Sequence, residues 1–265
     1  MRIVKSQDAE LRCEHLPRPG APALLLINSL GTSLEMWDPQ AHTFAERFEL
    51  IRYDTRGHGK STRGEAATLS IDQLARDALA VLDACGIARA HICGLSLGGM
   101  TAMQIACHWP DRVLKLAACN TSAFLPPRDR WEGVISTALK QGMAALTDGI
   151  LGRWLTAEFR AAHPEAAESI MQMLLSTDPR GYAACCTAIR DMDLRADIES
   201  IAAKTLVIGG TKDPSTTHEH AELIARSIPD ATLVMLDSAH LSNVERAPEF
   251  TSTLMEFLAA DAVRT

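Results

Sequence analysis

The sequence lacks the features that mark nucleic-acid-binding, membrane and secreted proteins. None of its 265 residues belongs to a run of five or more Lys or Arg, and the formal net charge is −7. Phosphate binding needs a surplus of clustered cations, so nucleic acid is excluded as a partner. The longest aliphatic run, Leu24–Ile27, is far too short to span a bilayer, and residues 1–17 contain no signal-peptide-like apolar segment. We therefore expect a cytoplasmic protein without a membrane partner.

Metal-binding and disulfide patterns are also missing. The seven cysteines are odd in number, lie in apolar segments and never form C-x-x-C, which favours reduced thiols that act as small core side chains. His218 and His220 are two residues apart, a spacing that points them to different faces of a helix, so we predict no metal site there. Hydrophobic residues make up 47% and charged residues 22%, as in a globular protein. A homo-oligomer is compatible with this composition.

Short apolar, often β-branched runs alternate with helix-like stretches along the chain. The runs mostly lack strict alternation, as expected of strands covered on both faces. Between them, Ser70 and Gln73 form a predicted capping box before an apolar stripe that ends near Gly86. Alternation of strand and helix predicts an α/β fold with a doubly wound, mostly parallel sheet. The predicted strands are Ala23–Ile27, Leu50–Tyr53, His91–Cys93, Val113–Ala118, Thr205–Ile208 and Thr232–Leu236.

One long region breaks this alternation. Between about Phe124 and Leu194 the sequence contains helix-like pieces separated by prolines, and no convincing strand. We interpret residues 123–194 as a helical lid inserted into a core formed by residues 1–122 and 195–265. The alternative is that these pieces are peripheral helices of the same domain.

A candidate nucleophile lies between a predicted strand and a predicted helix. Residues Gly94–Gly98 read G-x-S-x-G, with Ser96 at the centre. A sharp strand-to-helix turn that lifts a serine out of a sheet leaves no room for side chains two residues away, so glycine is needed at both ends. A phosphate-binding turn is the alternative, but the sequence has no G-x-x-x-x-G-K-[ST] pattern.

A serine hydroxyl needs a base, and the base needs an orienting acid. Asp213 follows the strand at Thr205–Ile208, and His240 follows the strand at Thr232–Leu236. The order Ser, Asp, His, with each residue after a strand, predicts a catalytic triad of Ser96, Asp213 and His240. Taken singly, Asp213 could be a turn residue before a proline, and His240 a loop or core histidine.

Acyl transfer also needs backbone donors for the developing oxyanion. The expected donors are the N–H of Leu97, directly after the serine, and the N–H of Leu30, in the loop after the first predicted central strand. Many enzymes of this type carry His-Gly where this chain has Asn28 and Ser29. Because the donor belongs to the backbone, that departure leaves the oxyanion site available.

Together these motifs resemble the 3-oxoadipate enol-lactonases, members of the α/β-hydrolase superfamily. The likeness covers most of the chain; its triad motifs are generic, whereas the Asn28–Thr32 and Gly181–Leu194 segments are more discriminating. The resemblance implies an α/β-hydrolase fold and a serine hydrolase without cofactor or metal. Its implied reaction opens the enol-lactone of 3-oxoadipate during bacterial degradation of protocatechuate and catechol. The segments that carry the likeness are Asn28–Thr32, Met36–Trp37, Arg52–Ser61, Gly94–Met100, Gly181–Leu194 and His240–Glu245.

The implied substrate is a small lactone or ester with a carboxylate, which an acidic protein must meet with a local cation. Candidate side chains from the helical region are Arg128, Arg130, Arg153 and Arg190, with Trp131 and Trp154 as aromatic walls. Their alternatives are ordinary surface arginines and packing tryptophans.

Three other activities of the same fold compete with lactone hydrolysis: broad carboxylesterase, C–C bond hydrolase and cofactor-free haloperoxidase. A haloalkane dehalogenase is disfavoured because its nucleophile should be Asp. A non-catalytic ligand-binding member is a further alternative, and the complete set of Ser96, Asp213 and His240 argues against it.

Overall fold

The computed structural model describes residues 1–259, which build one eight-stranded sheet flanked by helices. The strands are β1 Arg2–Ser6, β2 Ala9–Leu16, β3 Ala23–Ile27, β4 Glu49–Tyr53, β5 Ala90–Leu95, β6 Val113–Cys119, β7 Thr205–Gly210 and β8 Ala231–Leu236. Their order in the sheet is β1-β2-β4-β3-β5-β6-β7-β8. β1 and β2 pair antiparallel, as do β2 and β4, and every pairing from β4 to β8 is parallel.

Helices cover the sheet and fill the long interval between β6 and β7. The predicted capping box at the start of α2 is confirmed, since the Ser70 side chain accepts from the backbone N–H of Gln73 and the Gln73 side chain accepts in return. The helices are α1 Asp38–Ala45, α2 Ile71–Ala84, α3 Leu97–His108, α4 Arg128–Gln141, α5 Ala144–Trp154, α6 Ala157–Ala162, α7 Pro164–Ser176, α8 Pro179–Asp191, α9 His218–Ser227, α10 Ser242–Glu245 and α11 Ala247–Ala259.

The predicted α/β class and the six predicted strands are confirmed, with ends that differ by one or two residues. The hairpin of β1 and β2 at the antiparallel end of the sheet was not predicted. In β2 the buried residues Ala9, Leu11 and Cys13 alternate with more exposed ones, which is the pattern of a strand with one covered face. Among residues 1–259, no helix has the length and apolar character needed to cross a bilayer.

Residues 120–204, all described, contain five α-helices and no strand. The two ends of the helical segment meet, because the backbone N–H of Leu194 donates to the carbonyl of Ala123 over 2.8 Å. α8 is anchored to the core at one point of close backbone approach: a Cβ on Gly181 would lie 2.5 Å from the Cα of Gly57. The segment therefore covers the carboxyl edge of the sheet while α8 holds it against the loop after β4.

Candidate active site

The sharp turn at Ser96 joins β5 directly to α3. Ser96 has φ 57° and ψ −116°, a left-handed conformation that is strained for a residue with a side chain. A Cβ on Gly94 would lie 2.0 Å from the carbonyl oxygen of Gly98, and a Cβ on Gly98 would lie 2.1 Å from that of Ile27. Both glycines are thus required by the close packing of this turn.

Neighbouring main chain holds the turn in this strained conformation. The Ser96 N–H donates to the carbonyl of Cys119 over 2.9 Å, and its own carbonyl accepts from the Thr121 hydroxyl over 2.7 Å. Because Cys119 ends β6 and Thr121 follows it by two residues, the carboxyl end of this strand fixes where the serine lies.

Asp213 and His240 lie in the loops after β7 and β8 and contact each other directly. Their side chains are buried, and Nδ1 of His240 lies 2.7 Å from Oδ2 of Asp213. β7 and β8 are parallel neighbours, so the loops that follow them emerge at the same edge of the sheet. This edge also carries the turn after β5, which brings all three predicted triad residues to one end of the fold.

Asp213 is held as a charged, fully bonded carboxylate. Oδ1 accepts from the backbone N–H groups of Ser215 (2.8 Å) and Thr216 (3.0 Å). Oδ2 accepts from the Thr216 hydroxyl (2.7 Å) and from Nδ2 of Asn120 (3.0 Å) in addition to His240. Burial alone would raise the pKa of Asp213, but the charge and hydrogen bond of His240, with those of Asn120 and Thr216, outweigh it and lower the pKa to about 2. The carboxylate is therefore suited to orient an imidazole without taking its proton.

Ser96 and His240 line the same cavity, between the carboxyl edge of the sheet and the helical segment. Ser29 and Leu30, from the loop after β3, line it as well. The arrangement therefore places a strained serine, a histidine supported by a carboxylate and an early loop around one enclosed space.

The two predicted oxyanion donors lie where β3 and α3 come into contact. Leu97 is the first residue of α3, so its N–H has no acceptor within the helix and faces the N-terminal end. Leu30 follows β3, whose end is in contact with Gly98. Leu30 lines the cavity with Ser96, and Leu97 directly follows the serine, so we propose their N–H groups as the oxyanion donors.

Two of the four candidate arginines reach the cavity and two do not. Arg130 and Arg153 line it, together with Trp131 and Trp154. Arg128 and Arg190 instead form ion pairs with Asp191 at the surface. Within residues 1–259, neither Arg130 nor Arg153 has an acidic side chain as an ion-pair partner.

Arg153 is the better placed of the two cavity arginines. The pKa of Arg153 is lowered mainly by burial and to a smaller extent by repulsion from the Arg130 charge. A guanidinium that is partly buried beside another cation and lacks a carboxylate partner is a strong binding group for an anionic ligand.

Four residues of the site were not predicted. Asn120 and Thr216 donate hydrogen bonds to Asp213, and Tyr182 and Ser29 line the cavity. For Asn120 a usable signal existed, since it lies two residues after the predicted strand Val113–Ala118 and therefore near the edge that carries the triad. The Ser29 hydroxyl is buried and has no hydrogen-bond partner within residues 1–259. Nothing in the sequence distinguishes it from a loop serine.

A serine on a tight strand-to-helix turn, a histidine bonded to a buried carboxylate and a parallel sheet with one antiparallel end together define an α/β-hydrolase. The chain belongs to the alpha/beta hydrolase fold family, which matches residues 22–247.

Several enol-lactonases are similar to the chain over nearly its full length. 3-Oxoadipate enol-lactonase 2 of Acinetobacter baylyi is 35% identical over 245 residues, which cover 92% of this chain and 91% of that protein. The crystal structure of the enol-lactonase from Burkholderia xenovorans LB400 superposes with a TM-score of 0.95 at 38% identity, covering 97% of this chain and all 100% of the other. A thermophilic esterase from Thermogutta terrifontis has a TM-score of 0.89 at 27% identity, covering 95% and 94% of the two chains. The resemblance to the 3-oxoadipate enol-lactonases is thereby confirmed.

Proposed function

We propose that the protein is a serine hydrolase that opens the enol-lactone of 3-oxoadipate through an acyl-enzyme on Ser96. The observation that carries this proposal is the shared cavity, which is lined by the strained Ser96 and by His240, whose Nδ1 lies 2.7 Å from the Asp213 carboxylate. The similar enol-lactonases support the choice of substrate.

In the first half-reaction, the Ser96 oxygen attacks the lactone carbonyl carbon while Nε2 of His240 takes the hydroxyl proton. The negative charge on the carbonyl oxygen is met by the N–H groups of Leu97 and Leu30. The ring C–O bond then breaks, and the leaving enolate oxygen receives the proton from His240. The released enol becomes the ketone, which makes ring closure unfavourable.

In the second half-reaction, His240 takes a proton from a water molecule whose oxygen attacks the acyl carbon. The bond to Ser96 breaks, the proton returns to the serine oxygen, and 3-oxoadipate leaves. Over the two half-reactions one water molecule is consumed, and Ser96 and His240 return to their starting protonation states.

Arg153, aided by Arg130, is the proposed partner of the substrate carboxylate. Both arginines line the cavity, and neither has an acidic ion-pair partner among residues 1–259, while Trp131 and Trp154 also line it. A carboxylate bound here would be held on the helical side of the cavity, opposite the sheet edge that carries Ser96. This placement leaves the lactone carbonyl free to face the serine.

Steady-state kinetics on enzymatically generated enol-lactone, run beside a neutral aryl ester, test both assignments. We expect a much larger kcat/KM for the lactone, and a rise in its KM of roughly tenfold or more on Arg153→Met with little change for the neutral ester. Arg180→Met, an exposed position on α8, serves as the control. A similar loss for both substrates would refute the carboxylate role, and preference for the aryl ester would indicate a broad esterase.

Covalent labelling separates an enzyme from a non-catalytic ligand-binding protein. A fluorophosphonate should attach to Ser96 in the wild-type protein and fail to attach in Ser96→Ala. Absence of labelling on a folded wild-type protein would support the ligand-binding alternative.

We also propose that the protein acts in the cytoplasm. All seven cysteines are free thiols, five of them buried, including Cys93 and Cys119 with sulfur atoms 3.9 Å apart and no bond between them. Cell fractionation with an antibody tests this, and recovery outside the cytoplasm would contradict it.

A further inference from the structure

Asn120 links the two loops that carry the proposed acid and base. Its Nδ2 donates to Oδ2 of Asp213 over 3.0 Å and to the carbonyl of Ala239, directly before His240, over 3.3 Å. Its Oδ1 accepts from the Ser242 hydroxyl over 2.5 Å. One buried amide therefore bonds both the Asp213 carboxylate and the backbone directly before His240.

The backbone of Asn120 is shaped for this role. Its φ is 40°, in the left-handed region that asparagine tolerates better than most side chains. Its N–H donates to the carbonyl of Ile208 over 2.7 Å, so the residue is fixed by the pairing of β6 with β7. The sheet thus positions the amide, and the amide positions the two loops.

We propose that Asn120 is a positioning residue, which fixes the Asp213 carboxylate and the His240 loop relative to each other without touching substrate. It does not line the cavity. Asp213 Oδ2, the oxygen that accepts from His240, is the same oxygen that accepts from Asn120. The inference rests on the proposed triad.

Removal of this donor has a consequence for protonation as well as geometry. Without the Asn120 amide, the Asp213 carboxylate interacts more strongly with a protonated His240 and stabilises it. The acidic limb of the profile of kcat/KM against pH should therefore move to higher pH. Replacing the amide with a second carboxylate should move it further, because that carboxylate, once ionised, adds negative charge beside the Asp213–His240 pair. KM should change little because the amide lies outside the cavity.

Other charged or titratable groups near the pair stay unchanged in these variants. His220 on α9 interacts electrostatically with Asp213, and Glu245 on α10 accepts from the backbone N–H of Ala239. Lys212, next to Asp213 in sequence, forms its ion pair with Asp237. A shift of the acidic limb in a variant of residue 120 is therefore assigned to that residue.

The test compares Asn120→Gly and Asn120→Asp in pH profiles of kcat and KM. Asn120→Gly removes the amide and relieves the left-handed backbone, so the fold should persist. We expect kcat to fall roughly tenfold in each variant, with the acidic limb raised by about 0.5 pH unit in Asn120→Gly and about 1 unit in Asn120→Asp.

Asn243→Ala is the matched control, because Asn243 is an equally buried asparagine. Its Nδ2 donates to the Met36 carbonyl and to the Gln40 side chain, and not to the Asp213–His240 pair. It should lower the melting temperature and leave the acidic limb in place. Equal profiles for wild type and both Asn120 variants would overturn the positioning role while leaving the hydrolase intact. Inactivity of the wild-type protein on ester and lactone substrates would instead overturn the proposed function.

Discussion

The backbone N–H of Leu241 donates to the carbonyl oxygen of Trp154 over 3.0 Å. This bond ties the residue that follows His240 to a residue that lines the cavity from the helical segment. A backbone hydrogen bond therefore connects the cavity wall to the loop that carries the proposed base.

Glu245 makes a second link between the same two regions. Its carboxylate accepts from the backbone N–H of Ala239 over 3.0 Å, and from the backbone N–H (3.3 Å) and the hydroxyl of Thr156. Glu245→Gln replaces one of these two acceptor oxygens with an amide NH2 group, which is a donor and cannot accept the same hydrogen bonds. We expect kcat/KM to fall roughly tenfold, because small displacements of a catalytic group are costly to the rate.

The control for this variant is Glu219→Gln. Glu219 also accepts from a threonine hydroxyl, that of Thr217, but it is exposed on α9 and away from the cavity. Its kinetics should match wild type. If Glu245→Gln also keeps wild-type kinetics, the link between helical segment and His240 loop has no catalytic role.

Ser96→Ala should lower kcat by roughly 10³-fold or more and leave a small residual rate from the backbone donors and binding. The variant also relieves none of the backbone strain at this turn, so its melting temperature should stay near that of wild type. Turnover and thermal unfolding of the same preparation check both expectations. A near-native rate would show that Ser96 is not the nucleophile.

Asp213→Asn should reduce kcat by roughly 10²- to 10⁴-fold, because an amide favours the wrong tautomer of His240.

The same variant tests the charge of Asp213 through stability. The pKa of Asp213 is about 2 against an ordinary 3.8, so its ionised form stabilises the fold above pH 4 and this contribution is lost as pH falls toward 2. The contribution is about 2 kcal/mol at pH 7. Urea unfolding at pH 7 and pH 3 should show the variant's deficit shrink at the lower pH; an equal deficit at both would contradict the ionised, bonded state.

The triad could be predicted from sequence because it depends on strand ends. Ser96, Asp213 and His240 each follow a recognisable apolar strand, and the ends of parallel strands share one edge. β1 and β2 were missed because one of their faces is open to solvent, so their short alternating patterns contain charges and do not resemble the buried strands.

The carboxylate anchor could not be chosen from sequence. All four candidate arginines lie on helices of similar character, and their direction depends on how each helix rotates against the core. Arg190 pairs with its sequence neighbour Asp191, and Arg128 pairs with the same carboxylate across α4 and the end of α8, a contact that no local pattern indicates. Only the packed structure leaves Arg130 and Arg153 facing the cavity.

A buried ion pair beneath the loop after β4 supports stability. Arg56 donates to both carboxylate oxygens of Asp77 on α2, over 2.6 Å and 2.7 Å, and both side chains are almost fully buried. Asp77→Asn should lower the free energy of unfolding by about 3 kcal/mol, because the buried Arg56 guanidinium then keeps a single ion-pair partner, the partly exposed Asp8 over 3.1 Å.

Asp72→Asn on the same helix is the comparison, since Asp72 pairs with Arg76 at the surface over 2.8 Å. Its effect should stay below about 1 kcal/mol. Denaturant unfolding of both variants measures the difference, and equal effects would mean that burial of the Arg56 pair is unimportant.

His58 should make the protein less stable as the pH falls. The side chain is buried, its Nδ1 contacts the Arg56 carbonyl at 3.0 Å, and its Nε2 has no partner within residues 1–259. Burial lowers the pKa of His58 from 6.5 to about 4, despite the opposing backbone hydrogen bond. Between these two values the unfolded chain binds a proton that the folded protein does not, so stability is complete above pH 6.5 and declines down to pH 4. The loss assigned to His58 is about 3 kcal/mol.

His58→Gln removes the titrating group while an amide can still donate to the Arg56 carbonyl. The free energy of unfolding of the variant should therefore fall less between pH 6.5 and pH 4 than that of wild type. His42→Gln is the matched control, because His42 is 92% exposed and should leave the wild-type slope unchanged. A buried histidine that is neutral in the folded protein must lower the free energy of unfolding as the pH falls through this interval. If wild type and His58→Gln lose the same free energy of unfolding between pH 6.5 and pH 4, other groups cause the acid sensitivity.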